Sequence, residues 1–183
     1  MNDRIYALFG VIGPLSAYFS IGVSIVLSPW FSWQKNALSD LGNASKSGVA
    51  PIFNFGLLLA GFLLALYAVK SMNKYAKRTS YSVLVSAFAL QLVAAFNEAY
   101  GQLHLIVSYL FFISIASVVI LYAVERKSIL AAAALIVGLS SCMVYWARIY
   151  SLGIAVPETI SSICFFFDNI LCTQYLHKEI NRA

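Results

Sequence analysis

Residues 51–69 read PIFNFGLLLAGFLLALYAV, and residues 70–78 after them read KSMNKYAKR. The first stretch is an unbroken apolar run of the length a helix needs to cross the hydrocarbon layer, about 20 residues. The second carries Lys70, Lys74, Lys77 and Arg78 with no acidic residue. An apolar run that ends in a basic loop is what the positive-inside rule describes at the cytoplasmic face of a membrane.

The rest of the chain repeats this pattern. Five further apolar runs lie at Ile5–Leu27, Tyr81–Phe96, Leu103–Val124, Ile129–Ala147 and Pro157–Leu176. The 183 residues are 61% hydrophobic and only 10% charged, where a soluble domain carries about 25% charged residues. A domain this small exposes too much of its surface for a large core to account for that deficit. The runs lack the period-two polar alternation of barrel strands, so they predict helices. The fold class expected is an all-α integral membrane protein, a single six-helix transmembrane domain over residues 1–183. The third run is the shortest, and Asn97 to Tyr100 are expected to complete its last turn. The first is too long for a signal peptide and has no convincing cleavage site, so it is read as a retained span.

Nine basic residues (Arg4, Lys70, Lys74, Lys77, Arg78, Arg126, Lys127, Lys178 and Arg182) fall on one side and three (Lys35, Lys46 and Arg148) on the other. This places both termini in the cytoplasm. The net charge of +5 is then a topology signal rather than a nucleic-acid surface. The basic loop 70–78 would attract anionic headgroups. Cys142, Cys164 and Cys172 all fall inside spans, without C-x-x-C spacing, which argues against a disulfide framework.

Only one connection is long, Ser28 to Ala50. It opens with Pro29, Trp30, Phe31 and Trp33, an aromatic group suited to the membrane interface. A polar stretch follows, in which Asp40 starts a turn or caps a short helix and Gly42 ends it. Asn43-Ala44-Ser45 is a glycosylation sequon in this predicted outer loop. Spans three and four form a tight hairpin, which brings Glu98 and His104 near each other. Small and weakly polar residues recur at helical spacing, Ala87, Gln91, Ala94 and Glu98 on one helix and Ser161, Cys164, Asp168 and Cys172 on another. Such stripes let membrane helices approach closely, or else line a polar cavity.

Two groups of residues can carry chemistry. Asp168 lies near mid-bilayer with no Lys or Arg at its depth, so it is either protonated and hydrogen-bonded, with Gln91, Ser140 or Ser141 as partner, or exposed to a water-filled cavity. The outer cluster comprises Ser39, Asp40, Asn54, Glu98, His104, Arg148 and Glu158. Its carboxylates and imidazole are the types that ligate a metal or act as a general base, but one histidine is few for a hydrolytic zinc site. Interfacial ion pairing, Arg148 with Glu158 or Asp40, is the structural alternative. No G-x-S-x-G elbow, H-E-x-x-H helix or glycine-rich phosphate loop occurs, and no cofactor or metal is implied.

Asn36-Ala37-Leu38-Ser39-Asp40-Leu41-Gly42, followed by Ile52-Phe53-Asn54-Phe55-Gly56-Leu57 at the start of the next helix, resembles the archaeal six-helix membrane proteins grouped as domain of unknown function 998. The hairpin from Phe96-Asn97-Glu98 through Gly101 to His104 is similar to that family's central region. Leu38-Ser39-Asp40 also stands where the damage-regulated autophagy modulator family carries an Ile-Ser-Asp-type motif. These resemblances imply the six-helix fold and an archaeal cell membrane, and no established activity or cofactor.

The leading functional expectation is a non-enzymatic membrane protein that binds a lipid headgroup or small ligand at its extracytoplasmic face, as a homo-oligomer or as a subunit of a membrane complex. Membrane lipids are its expected partners. The alternatives are a metal-dependent hydrolase of a lipid-like substrate and a proton- or cation-coupled carrier using Asp168. The orientation predicts that cysteine labelling of intact cells modifies a residue placed near Asn43 and none placed near Lys74. The reverse pattern would overturn it.

Overall fold

The computed structural model describes residues 3–149 and 153–180. Six helices account for most of them: α1 (Asp3–Val26), α2 (Ala50–Lys70), α3 (Lys77–Ala95), α4 (Gln102–Arg126), α5 (Ile129–Trp146) and α6 (Ala155–Ile180). The first five are long and apolar enough to span a membrane; in α6 the apolar stretch among the described residues is Ala155–Phe167. Their outward surface is apolar, with Phe19, Phe55, Phe62, Phe88, Ile113 and Ile136 exposed. So extended an apolar surface is an aggregation liability in water but the expected solvent-facing surface in lipid.

The packing order is a ring. Each of α1, α2, α3 and α4 packs on the next, and α6 sits between α4 and α1, while α5 lies outside against α4 and α6. Small residues set the spacing. A side chain at Gly56 would run into Ser20 of α1, and a Cβ on Gly61 would stand 2.7 Å from the Ala87 carbonyl oxygen of α3. Lipid supplies no hydrophobic drive for helices to associate, so this close backbone approach and the dispersion it gains hold the ring together.

One end of the ring is closed by the carboxylate of Glu125, near the end of α4. It accepts the Arg78 and Thr79 backbone N–H groups (3.1 and 2.9 Å) and the Thr79 hydroxyl (2.7 Å), capping the start of α3. The neighbouring Arg126 guanidinium lies 3.6 Å from the centre of the Tyr75 ring, within cation–π range. The sequence reading named only the basic residues at this end; the capping is done by Glu125, in the last turn of α4.

The third helix departs from the sequence expectation. It begins at Lys77 and ends at Ala95, and Asn97–Tyr100 do not complete it. Phe96 leaves the helical region and Asn97 is extended. The Asn97 side chain then accepts the Ala99 N–H to start a separate 3₁₀ turn, Glu98–Tyr100. Asparagine competes with the backbone in this way at turns. Glu98 is therefore not on the helical stripe of Ala87, Gln91 and Ala94. Gln91 packs instead over Gly61.

Gly61→Leu is expected to destabilise the purified protein by about 1–3 kcal/mol or more, the usual cost of overpacking, as read by denaturant-induced unfolding in detergent. Unchanged stability would show that α2 and α3 are not held by this contact.

Candidate functional site

The end of the ring opposite Glu125 is plugged by a 3₁₀ turn, Leu38–Gly42, from the long 1–2 connection. Leu41 is its apolar peg, fully buried with Phe53, Leu57, Leu90 and Ala94. Gly42 is pressed so close to α2 that a Cβ there would lie 2.7 Å from the Asn54 carboxamide oxygen. Only glycine fits, and Asn54 completes the contact by donating from Nδ2 to the Gly42 carbonyl at 2.9 Å.

Every other connection at this end reaches the plug. The Leu38 N–H donates to Glu158 of α6 at 3.0 Å. The Ser39 hydroxyl donates to Glu98 of the 3–4 hairpin at 3.1 Å. The Ala44 N–H donates to the Asn97 side chain at 3.2 Å. The Gly153 N–H donates to the Trp33 carbonyl at 2.8 Å, and a Cβ at residue 153 would stand 2.9 Å from that same oxygen and 3.0 Å from the Asn36 carbonyl. Asp40 serves the plug itself: one carboxylate oxygen accepts the Asn36 side chain (2.9 Å) and the Ala37 N–H (3.0 Å). A buried backbone donor left unpaired costs about 1–3 kcal/mol, so these acceptors are what allow an irregular segment to sit among helix ends.

Glu98 and His104 are in direct contact, Oε2 to Nε2 at 3.1 Å, with the histidine almost wholly buried. Nδ1 of His104 lies 2.8 Å from the Phe96 carbonyl oxygen. A carbonyl only accepts, so Nδ1 carries a hydrogen and Nε2 of the neutral ring is bare. Ser108, one turn along α4, lies 3.2 Å from the same Nε2 and joins the network.

Two cavities flank the plug. Inside the ring is an apolar slot of about 110 Å³, lined by residues including Ala17, Leu57, Leu64, Leu90, Phe111 and Phe165, with Leu38, Ser39, Ser108 and Glu158 also on its wall. On the other side of the turn is a polar cup of about 410 Å³, lined by Trp30, Asn36, Asp40, Asn43, Lys46 and Glu98. Trp30 and Trp33 each stack edge-on with Phe31 and remain partly exposed at the rim.

The structure thus brings together Ser39, Glu98 and His104, and places Asp40 on the same cup as Glu98 with its carboxylate turned toward its own loop. Asn54 and Glu158 hold the plug's backbone. Arg148 is not part of the group. It is exposed beyond the end of α5, at φ 54°, and pairs with neither Glu158 nor Asp40 among the described residues; the backbone N–H of Leu38 takes the place the guanidinium was expected to fill. Asn43 is only 6% exposed and its side chain accepts the Ser45 N–H at 3.0 Å, so this geometry does not present the sequon asparagine for glycosylation. The Ser141 hydroxyl is buried without a partner among the described residues. The side chain of Asp168 lies outside the described residues, and with it the expected bond to Gln91 or Ser141. Asn97, Ser108 and Lys46 were not singled out by sequence. For Asn97 the signal was present, an asparagine just before a short turn.

Among the described residues, no three His, Cys, Asp or Glu side chains come together in a way that could hold a metal ion. Among the described residues, Glu98 and His104 bring one carboxylate and one imidazole together, while the Asp40 carboxylate is bonded within its own loop.

Nitrogen NMR of labelled histidine is expected to find a hydrogen on Nδ1 of His104, held by the Phe96 carbonyl, in the wild type and in Glu98→Gln alike. A bare Nδ1 would overturn the assignment. Glu98→Ala, which strands Ser39 and Nε2 together, is expected to cost about 1–3 kcal/mol in the same unfolding measurement.

The family model described as "Protein of unknown function (DUF998)" matches residues 11–167. The chain belongs to this family. No curated protein and no solved structure matches it.

Proposed function

From membership of a family whose description assigns no activity, and from the geometry at the plugged end, we propose that the protein is a membrane-embedded binding protein for an amphiphile. The headgroup occupies the polar cup and hydrocarbon occupies the slot. The observation that carries this reading is the pairing of two unlike cavities across one five-residue turn, the apolar one inside the ring and the polar one outside it. An amphiphile is the ligand class that satisfies both at once, since burying hydrocarbon contributes about 0.8 kcal/mol per methylene and the head keeps polar partners.

The nine-to-three bias of Lys and Arg supports placing the plugged end outside the cell membrane and both termini in the cytoplasm. The ligand is then drawn from the outer leaflet or from the external medium. The aromatic rim of Trp30, Phe31 and Trp33 fits a loop lying at the headgroup level. The exposed apolar face of α5, outside the ring, is the surface available for a second copy or another membrane subunit.

Val93 lines the slot, and Val93→Trp is expected to fill it. Excluding two methylenes of ligand forfeits about 1.6 kcal/mol, more than tenfold in affinity. Native mass spectrometry of protein extracted from membranes should therefore find amphiphile bound to the wild type and at least tenfold less on the variant, with the helical signal unchanged. Equal retention by both, or none by the wild type, would overturn the reading.

A further inference from the structure

The polar cup holds hydrogen-bonding groups that the fold leaves unused, and none of them depends on the slot. Its volume of about 410 Å³ lies within the range of small-molecule sites, about 300–1,000 Å³. Asn36 is used at both ends, its Oδ1 accepting the Ser32 N–H and its Nδ2 donating to Asp40. Asp40 and Glu98 bond only through Oδ2 and Oε2, which leaves Oδ1 and Oε1 without a partner among the described residues. Asn43 is the telling residue. It is only 6% exposed on the cup wall, and its Oδ1 accepts the Ser45 N–H. Its Nδ2 donates to no described residue. Buried amide groups are nearly always paired, so this one marks a place for an acceptor that a ligand brings.

The unused groups are of both kinds. The Asp40 and Glu98 oxygens accept, while Asn43 Nδ2 and Lys46, exposed on the same wall, donate. A sugar ring fits this mixture. Each of its hydroxyls donates or accepts as its neighbour requires, so the match does not depend on the charge that either carboxyl carries. Trp30, half exposed on the same wall, adds an apolar surface with an N–H at its edge. A pyranose has hydroxyls round its rim and C–H groups on its faces, and the two kinds of wall answer the two kinds of surface. A simple cation would find Lys46 beside the carboxyl groups, and no three metal-ligating side chains converge among the described residues. A simple anion would find two carboxyl groups beside Lys46. Neither has a use for the indole and the Asn43 amide together.

We propose that the cup binds a saccharide unit, as a free sugar or as the headgroup of a glycolipid. Asp40 and Glu98 accept from its hydroxyls, Asn43 and Lys46 donate to them, and Trp30 packs against a ring face. The assignment concerns the cup alone and stands whether or not hydrocarbon enters the slot. The test uses the full chain purified in a polyoxyethylene detergent, free of sugar, with maltose, choline chloride and sodium phosphate as probes. Binding is read by tryptophan fluorescence and, for maltose, by saturation-transfer NMR. Maltose is expected to bind saturably, and about tenfold or more tightly than either ion. Asn43→Asp keeps the acceptor for the Ser45 N–H but removes the free donor, and should weaken maltose about tenfold or more. Lys46→Ala and Trp30→Ala, both at exposed positions, should each weaken it about fivefold or more with the helical signal unchanged. Dodecyl maltoside separates the two sources. A gain in affinity over maltose that Val93→Trp abolishes assigns a glycolipid headgroup. Dodecyl maltoside binding that Val93→Trp leaves unchanged assigns a free sugar, and overturns the amphiphile reading alone. No maltose binding, choline or phosphate bound as tightly as maltose, or maltose binding indifferent to Asn43→Asp and Lys46→Ala would overturn the saccharide assignment, whatever the slot binds.

Discussion

An irregular segment pushed among the ends of membrane helices must have its backbone polar groups met by the protein, because nothing else is there to meet them. The turn Leu38–Gly42 meets this condition with acceptors from three directions: Glu158 for the Leu38 N–H, Asp40 for the Ala37 N–H and Asn97 for the Ala44 N–H. These bonds tie α6, the 3–4 hairpin and the 1–2 connection to one another at a single point. Leu41 adds the apolar anchor and Asn54 the contact to α2. Both cavities exist because this turn is held where it is.

The acidic residues at this end therefore have structural duties before any functional ones. Glu158 and Asp40 accept from the plug's own backbone, and Glu98 accepts from Ser39 and touches His104. A carboxylate that receives a main-chain N–H is solvated in part by protein, which offsets some of the cost of burying it. Asp40 and Glu98 also line the cup, each with one carboxylate oxygen that has no partner among the described residues.

How much of this was legible follows from the range of the signals involved. Hydrophobic run length located six helices, five of them long and apolar enough to cross a membrane, because crossing hydrocarbon is a constraint that each such segment satisfies alone. The closeness of Glu98 and His104 was legible too, since a six-residue turn leaves them little freedom. The end of α3 was not, because apolar character continues through Phe96 while the backbone has already left the helix; Asn97 was the cue, and its side-chain bond outweighed hydropathy. Arg148 was placed with the acids by topology alone, and topology assigns a side of the membrane without assigning a position on it. The plug's bonds to Glu158 and Asn97 join residues more than fifty positions apart, beyond the reach of any local pattern. Glu125 was passed over because its loop reads as basic, yet helix capping depends on one acceptor at one position and not on the average charge.

The slot poses an energetic question that the rest of the ring makes sharper. At Gly56 and Gly61 the helices meet as closely as backbones allow, while at Ala17, Ala60 and Ser86 the same kind of small residue leaves empty volume. A cavity of about 110 Å³, at about 24 cal/mol per Å³, costs roughly 2–3 kcal/mol if nothing fills it. That is a large share of the 5–15 kcal/mol by which folded proteins are typically stable. A ring able to close at its glycines could close here with larger side chains, and it does not. An occupant that restores the missing contacts recovers this energy on binding, and its binding in turn stabilises the ring by mass action. Small residues thus have two uses along the same helices, joining them where backbones touch and leaving the slot where they do not.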